Sequence, residues 1–220
     1  MSFEGQTMKL TVVYDNEAKR EGLWRGYGFS CFIEAENTPS ILFDTGGDSA
    51  TLLHNMKELN MDPKDIGIIV ISHAHGDHTG GLIGILEING TAELYLPSSF
   101  GRLRLGGRII TVKGAIQICE NVFSTGELGG IEQSLALKTD KGIFVVTGCS
   151  HPGVANILKA ASEFGKLYGI LGGFHGFREF KALEGLSLIY PCHCTAHKRE
   201  IRELYPDQAL ECGAGLVVEL

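Results

Sequence analysis

The most chemically loaded stretch of the sequence is His73-x-His75-x-Asp77-His78, which puts four metal-capable side chains within six residues. Imidazole nitrogen and carboxylate oxygen suit Zn²⁺, Fe or Mn²⁺. The run follows Ile66–Ser72 (IGIIVIS), a nearly continuous apolar segment with the pattern of a strand buried on both faces. Alternate residues of an extended loop can send His73 and His75 to one ion. A turn at Gly76 can aim Asp77 and His78 at a second position. Two neighbouring ions need further ligands, and His151 and His193 are the obvious suppliers.

Three later segments repeat the pattern of an apolar strand delivering histidine to a loop. They end in Gly148-Cys149-Ser150-His151, Gly172-Gly173-Phe174-His175 and Pro191-Cys192-His193-Cys194. Two glycines let backbone and ligand approach closely, so His175 is read as a substrate or phosphate contact. Asn16 is placed at the edge of the site, with substrate contact and a structural role both open. Asp44 is read as a supporting residue, Glu132 as an outlying candidate ligand, and His54 and His197 as ordinary helix residues. Cys192 and Cys194 are read as packing thiols. Arg102, Arg104 and Arg108 form a basic loop, read as a solvated turn ahead of an anion contact.

The elements that position these residues follow from periodicity. Strands are predicted at Met8–Tyr14, Phe29–Glu34, Ile41–Asp44 and Ile66–Ser72, with a helix between the last two, capped by Ser49 and stopping before Pro63. A glycine-bounded middle holds strands at Glu93–Leu96, Arg108–Val112, Ile116–Cys119 and Leu135–Lys138. Strands at Ile143–Thr147, Leu167–Leu171 and Leu188–Tyr190 then alternate with helices at Val154–Phe164, Phe177–Leu183 and Thr195–Leu204. No repeat or linker divides the chain, so residues 1–220 are read as one domain, with two sheets packed together and helices outside.

The motifs resemble the metallo-β-lactamase-fold superfamily, whose signature is HxHxDH at the end of a buried strand. Ser72 to Gly81 fits that signature residue by residue, and Ile41–Gly46 resembles the superfamily's early hydrophobic–Asp–Thr–Gly strand. Tyr14-Asp15-Asn16, Gly28-Phe29-Ser30, Thr147–Gly153, Leu171–His175 and Pro191–Thr195 resemble a narrower microbial branch, labelled β-lactamase superfamily II. Some of its members are dihydropterin–ribofuranosylaminobenzene phosphate synthases. The resemblance implies a four-layer αββα sandwich of two mixed sheets flanked by helices. It implies His73, His75 and His151 for a first ion, and Asp77, His78 and His193 for a second. Asp77 would also orient a water and relay its proton. Zn²⁺ is the expected ion, one or two per chain, with Mn²⁺, Fe or Mg²⁺ compatible. Two departures stand out. The superfamily's usual histidine before the middle strand is replaced by Gly129–Ser134, where Glu132 lies, and its bridging Asp by Gly148-Cys149. His151 could stand in for that histidine. Cys149 could be a ligand or a small buried residue, and the second ion could be weak, absent or held without the usual bridge.

The resemblance implies a metal-dependent hydrolase acting on a small molecule, phosphorylated among the options. The alternatives are the branch's synthase, which joins a pterin diphosphate to a ribofuranosyl aminobenzene phosphate with loss of pyrophosphate, and a non-catalytic binding module. A di-iron oxygen- or NO-reducing module of this fold carries Glu where this chain has His75, which disfavours it. Composition is that of a soluble globular chain. The chain has 220 residues, 19 basic against 26 acidic, and a net charge of −7, which argues against nucleic acid. No apolar run is long enough to span a membrane, and Met1 to Gln6 carry no basic lead into an apolar core. The cytoplasm is the expected compartment, with six cysteines kept as thiols. The oligomeric state is left open.

Overall fold

The computed structural model describes residues 7–101 and 107–220. Apolar side chains recur with a period of two along its strands, so each strand presents one face to each side of a sheet. The first sheet contains β1 (Met8–Tyr14), β2 (Ser30–Ala35), β3 (Ser40–Phe43), β4 (Ile66–Val70), β5 (Glu93–Pro97) and β6 (Ile109–Val112). The second contains β7 (Ile116–Cys119), β8 (Val122–Ser124), β9 (Leu135–Thr139), β10 (Gly142–Thr147), β11 (Leu167–Gly173) and β12 (Leu188–Cys192). A last strand, β13 (Val217–Glu219), returns to the first sheet beside β1. Among the described residues the orders are β13-β1-β2-β3-β4-β5-β6 and β12-β11-β10-β9-β8-β7. Both sheets are mixed: β3 to β6 are mutually parallel, and so are β10 to β12.

The inner faces of the sheets meet in one apolar cluster, where Leu10, Val12, Phe43 and Val70 join Leu137, Phe144, Val146 and Leu171. Five helices are described: α1 (Ser49–Glu58), α2 (Gly76–Thr79), α3 (Leu82–Ile88), α4 (Val154–Ala161) and α5 (Lys198–Leu204). Leu52, Met56 and Ile85 of α1 and α3 cover the outer face of the first sheet over Leu42 and Ile69. Ile157, Leu158 and Ile201 of α4 and α5 cover the second sheet over Val145 and Ile170. The αββα sandwich expected from the sequence is the observed one. Each fully buried Leu, Ile or Phe contributes about 1.5–3 kcal/mol, so the loops at the strand ends stand on well-packed layers. No helix among the described residues is long and apolar enough to cross a membrane.

Several boundaries differ from the sequence reading. The cap of α1 is Asp48 rather than Ser49, because Asp48 Oδ1 accepts the Thr51 N–H at 2.8 Å. The helix expected over Phe177–Leu183 is only a 3₁₀ turn, Phe180–Leu183. The last helix starts at Lys198 rather than Thr195. Thr195 is committed elsewhere: its hydroxyl donates to Cys192 O at 2.7 Å and accepts the Phe174 N–H at 2.9 Å. The short elements α2, α3, β8 and β13 lie in stretches to which the sequence reading assigns no helix or strand.

Candidate metal centre

Ligands in α/β sheets gather outside the carboxyl ends of parallel strands, and the histidine loops of both sheets converge there. The loop after β4 is fixed by Asp44, which follows β3. Asp44 Oδ1 accepts the Ser72 N–H and Asp44 Oδ2 the Ser72 hydroxyl, each at 2.7 Å. Ser72 Oγ in turn lies 2.9 Å from His73 Nδ1, which leaves Nε2 facing His75 Nδ1 at 3.0 Å. Gly76 opens α2, whose turn carries Asp77 and His78. His78 Nδ1 lies 2.7 Å from Asp44 Oδ2, so its Nε2 points to Cys149 Sγ at 3.2 Å and Asp77 Oδ2 at 3.6 Å.

Cys149 and His151 come from the turn after β10, and that turn is wound around a buried carboxylate. Glu132 Oε1 accepts the N–H groups of Gly148, Cys149 and Ser150 at 3.1, 3.0 and 3.0 Å, and Oε2 accepts that of His151 at 2.8 Å. Glu132, an outlying candidate ligand in the sequence reading, is therefore a support for the loop. Only glycine fits at position 148, because a Cβ there would stand 2.3 Å from Ser72 Oγ. The two loops touch, and the His151 ring centroid reaches 4.7 Å from that of His73 and 4.9 Å from that of His75.

His193 enters from the end of β12. Its N–H donates to Asp15 Oδ2 at 3.0 Å, and its carbonyl accepts from Asn16 Nδ2 at 3.2 Å. Asn16 Oδ1 lies 3.0 Å from His193 Nδ1 and also accepts the Gly28 N–H at 3.2 Å. His193 Nε2 is thereby directed to within 3.2 Å of Asp77 Oδ2. The amide of Asn16 is thus spent on positioning His193 rather than offered to a substrate. His175 is exposed at the rim, its ring 5.2 Å from that of His151. The glycines before it admit the neighbouring loops: a Cβ at Gly173 would stand 2.6 Å from Gly148 O and 2.7 Å from Cys194 Sγ.

Asp44, Ser150, His175 and His193 all hold positive φ, at 58°, 59°, 44° and 47°. Such backbone is costly for residues other than glycine, and it collects at functional sites. Two further residues at the cluster escape sequence reasoning, and a third, Cys194, reads in the sequence as a packing thiol. Tyr27 is exposed with its ring 5.1 Å from His193, Asp15 anchors the His193 backbone, and Cys194 Sγ lies 3.3 Å from Cys149 Sγ. The position of Asp15 directly after β1 was a usable signal for its role; Tyr27 offered none. His54 contacts Gly22 O and stacks on Trp24, and His197 meets Glu200, as befits ordinary residues. Arg102 and Arg104 lie outside the described residues, and exposed Arg108 pairs with Glu93.

Among the described residues, candidate ligand atoms within 4.8 Å of one another form three groups: Asp77/His78/Cys149/His193 and His73/Cys149/His151 share the loop cluster, and Asp15/Cys192/Cys212 is fully buried. His75 joins the second through its 3.0 Å contact with His73. Burial, reinforced by His78, His151 and His75, pulls the pKa of His73 down to about 2, so its ring is neutral and keeps a lone pair. Burial raises the Asp77 carboxyl, but the His193 and His78 imidazoles outweigh it and hold the group well below the usual carboxylate range. Nε2 of His151 is buried without a hydrogen-bond partner, and Nε2 of His193 faces only the Asp77 carboxylate. A buried polar atom left without a partner costs about 1–3 kcal/mol, a deficit that a metal ion would remove. The donors are imidazole nitrogens, one thiol and one carboxylate, a set that fits Zn²⁺ or Fe. It does not fit Mg²⁺, which takes oxygen ligands.

Fold and donor set together define an αββα protein with a candidate metal centre at the strand ends. The family model of the metallo-beta-lactamase superfamily matches residues 23–113. The 7,8-dihydropterin-6-methyl-4-(beta-D-ribofuranosyl)-aminobenzene-5'-phosphate synthase of Methanocaldococcus jannaschii is 31% identical over a 258-residue alignment, covering 86% of this chain and 88% of that protein. The crystal structure of Tm1679, a metal-dependent hydrolase of the beta-lactamase superfamily, superposes with a TM-score of 0.77 at 27% identity, covering 97% of this chain and 99% of that one. Zn²⁺-bound PqqB from Methylobacterium extorquens shares the fold, with a TM-score of 0.65 at 10% identity over 96% of this chain and all of that one (100%). The chain belongs to the metallo-beta-lactamase superfamily. Its similarity to the synthase matches the branch to which the motifs pointed.

Proposed function

We propose that this chain is a metal-dependent hydrolase that directs an ionised water at a small phosphorylated molecule. The observation that carries the reading is the pair of ligand groups, with the His151 Nε2 buried without a partner in one and the His193 Nε2 turned onto the Asp77 carboxylate in the other. His73, His75 and His151 would hold one ion and Asp77, His78 and His193 the other. Such an ion supplies Lewis acidity, polarising a phosphoryl or carbonyl oxygen and bringing the pKa of a water from 15.7 to about 7. Asp77 is only partly buried and stays charged, so its carboxylate can accept a proton from that water and orient it. Asp44 and Asn16 fix the rings of His78 and His193 from behind. His175, exposed at the rim beside His151, is the contact assigned to the substrate phosphate.

A second reading is a transferase that builds a pterin–ribofuranosylaminobenzene phosphate at the same site. The 31% identity to the synthase, spanning 86% of this chain and 88% of the synthase, favours it. A panel of phosphomonoester, phosphodiester, lactone, thioester and pterin-phosphate compounds, run in ¹⁸O-labelled water with metal content controlled, separates the two. The hydrolase reading expects solvent oxygen in the product and loss of turnover in Asp77→Ala. Turnover only when a pterin and an aminobenzene phosphate are both present, without solvent oxygen, would replace it with the transferase.

A further inference from the structure

Cys149 is the residue that the two ligand groups have in common. Three of the other cysteines, Cys31, Cys192 and Cys212, belong to the apolar cluster between the sheets. Cys149 belongs to none of the three apolar clusters, although it is only 3% exposed. Its surroundings are polar. The sulfur lies 3.2 Å from His78 Nε2 and accepts from Cys194 Sγ at 3.3 Å. Its direction is also set from below, since Glu132 holds the N–H groups of residues 148 to 151 and Ser150 is kept at φ 59°. A buried thiol supported in this way, between two sets of imidazoles that include the unpartnered Nε2 of His151, is built for something other than packing.

We propose that Cys149, as a thiolate, is a ligand shared by both ions, linking the His73/His75/His151 position to the Asp77/His78/His193 position. The inference rests on the metal reading above and adds the residue that couples its two halves. As the first sulfur–metal bond forms, the thiol proton leaves to solvent. No electron is transferred, and the second ion uses a remaining lone pair of the same sulfur. A thiolate at the centre tilts the site toward Zn²⁺, Co²⁺ or Fe and away from Mn²⁺ and Mg²⁺. Cys194 is a positioning residue, donating its S–H to the shared sulfur.

The test is an anaerobic titration of the full-length, metal-free protein with Co²⁺. It follows the visible ligand-field bands, the near-ultraviolet thiolate-to-cobalt charge-transfer band and the amount of bound metal. The expected charge-transfer band grows through both equivalents in the wild type and in Cys194→Ala. It is absent from Cys149→Ala and from Cys149→Asp, the latter keeping two equivalents and its visible bands. Visible bands without a charge-transfer band, a band complete at one equivalent, or a band that survives Cys149→Ala would each overturn the shared thiolate while leaving the metal reading intact. No uptake of Co²⁺ at all would sink both. The wild-type and Cys194→Ala titrations decide the matter even where the Cys149 variants fail to fold.

Discussion

Asp44 Oδ2 lies 2.7 Å from Nδ1 of His78, and both side chains are fully buried. The carboxylate selects the tautomer with the proton on Nδ1 and leaves Nε2 free for an ion, the arrangement that orients metal-binding histidines. The same oxygen accepts the Ser72 hydroxyl, which in turn meets His73, so one carboxylate steadies rings of both ligand groups. Asp44→Asn is expected to lower metal affinity about 10–100-fold. Competition with a coloured chelator measures it.

Glu132 replaces a surface of solvent for four amides at once. In Glu132→Gln the new amide group must turn N–H toward N–H on one side or the other. The variant is expected to lose about 1–3 kcal/mol for each donor left without an acceptor, read by urea unfolding of the metal-free protein. The metal affinity should fall with it, because Cys149 and His151 sit on the turn that Glu132 holds.

Asn16 acts on one ligand group alone. Removing its contacts to His193 Nδ1 and O in Asn16→Ala frees that ring to rotate. Dialysis against a weak chelator is expected to strip one of two metal equivalents from the variant, whereas the wild type keeps both. Loss of both together would mean that Asn16 supports the whole edge rather than His193.

The hydroxyl of Tyr14 donates to Asp48 Oδ2 at 2.8 Å from a buried position. Burial, with Asp48 beside it, pushes its pKa from 10.0 up to about 12. The folded protein keeps this proton over a range where the unfolded chain has released it. The contribution is therefore complete below pH 10.0 and is lost as the pH rises through about 12. Urea unfolding of the metal-free protein at about pH 9 and about pH 11 should show a steeper alkaline loss in the wild type than in Tyr14→Phe.

The first ligand cluster was legible because its residues are contiguous and follow a strand whose burial is written in its composition. His151, His175 and His193 lie far along the chain, but each follows an apolar strand, so their convergence followed from the αββα layering. The supports were harder to read. A carboxylate at position 132 looks the same whether it binds an ion or caps four amides, and only the closed turn over it decides. Asn16 posed the same ambiguity, since its amide could face inward or outward. Cys149, open between a ligand and a small buried residue in the sequence, is resolved toward the ligand role only once its neighbours are seen to be imidazoles rather than aliphatic side chains. The elements missed, such as α2 and β13, are too short to carry a periodic signal.

Metal content of the purified protein tests the central claim most directly. Elemental analysis is expected to find one to two equivalents of zinc or iron per chain, and none in the His73→Ala, His75→Ala double variant. A folded wild-type protein without transition metal, and with no uptake on dialysis against Zn²⁺, Mn²⁺ or Fe²⁺, would contradict it.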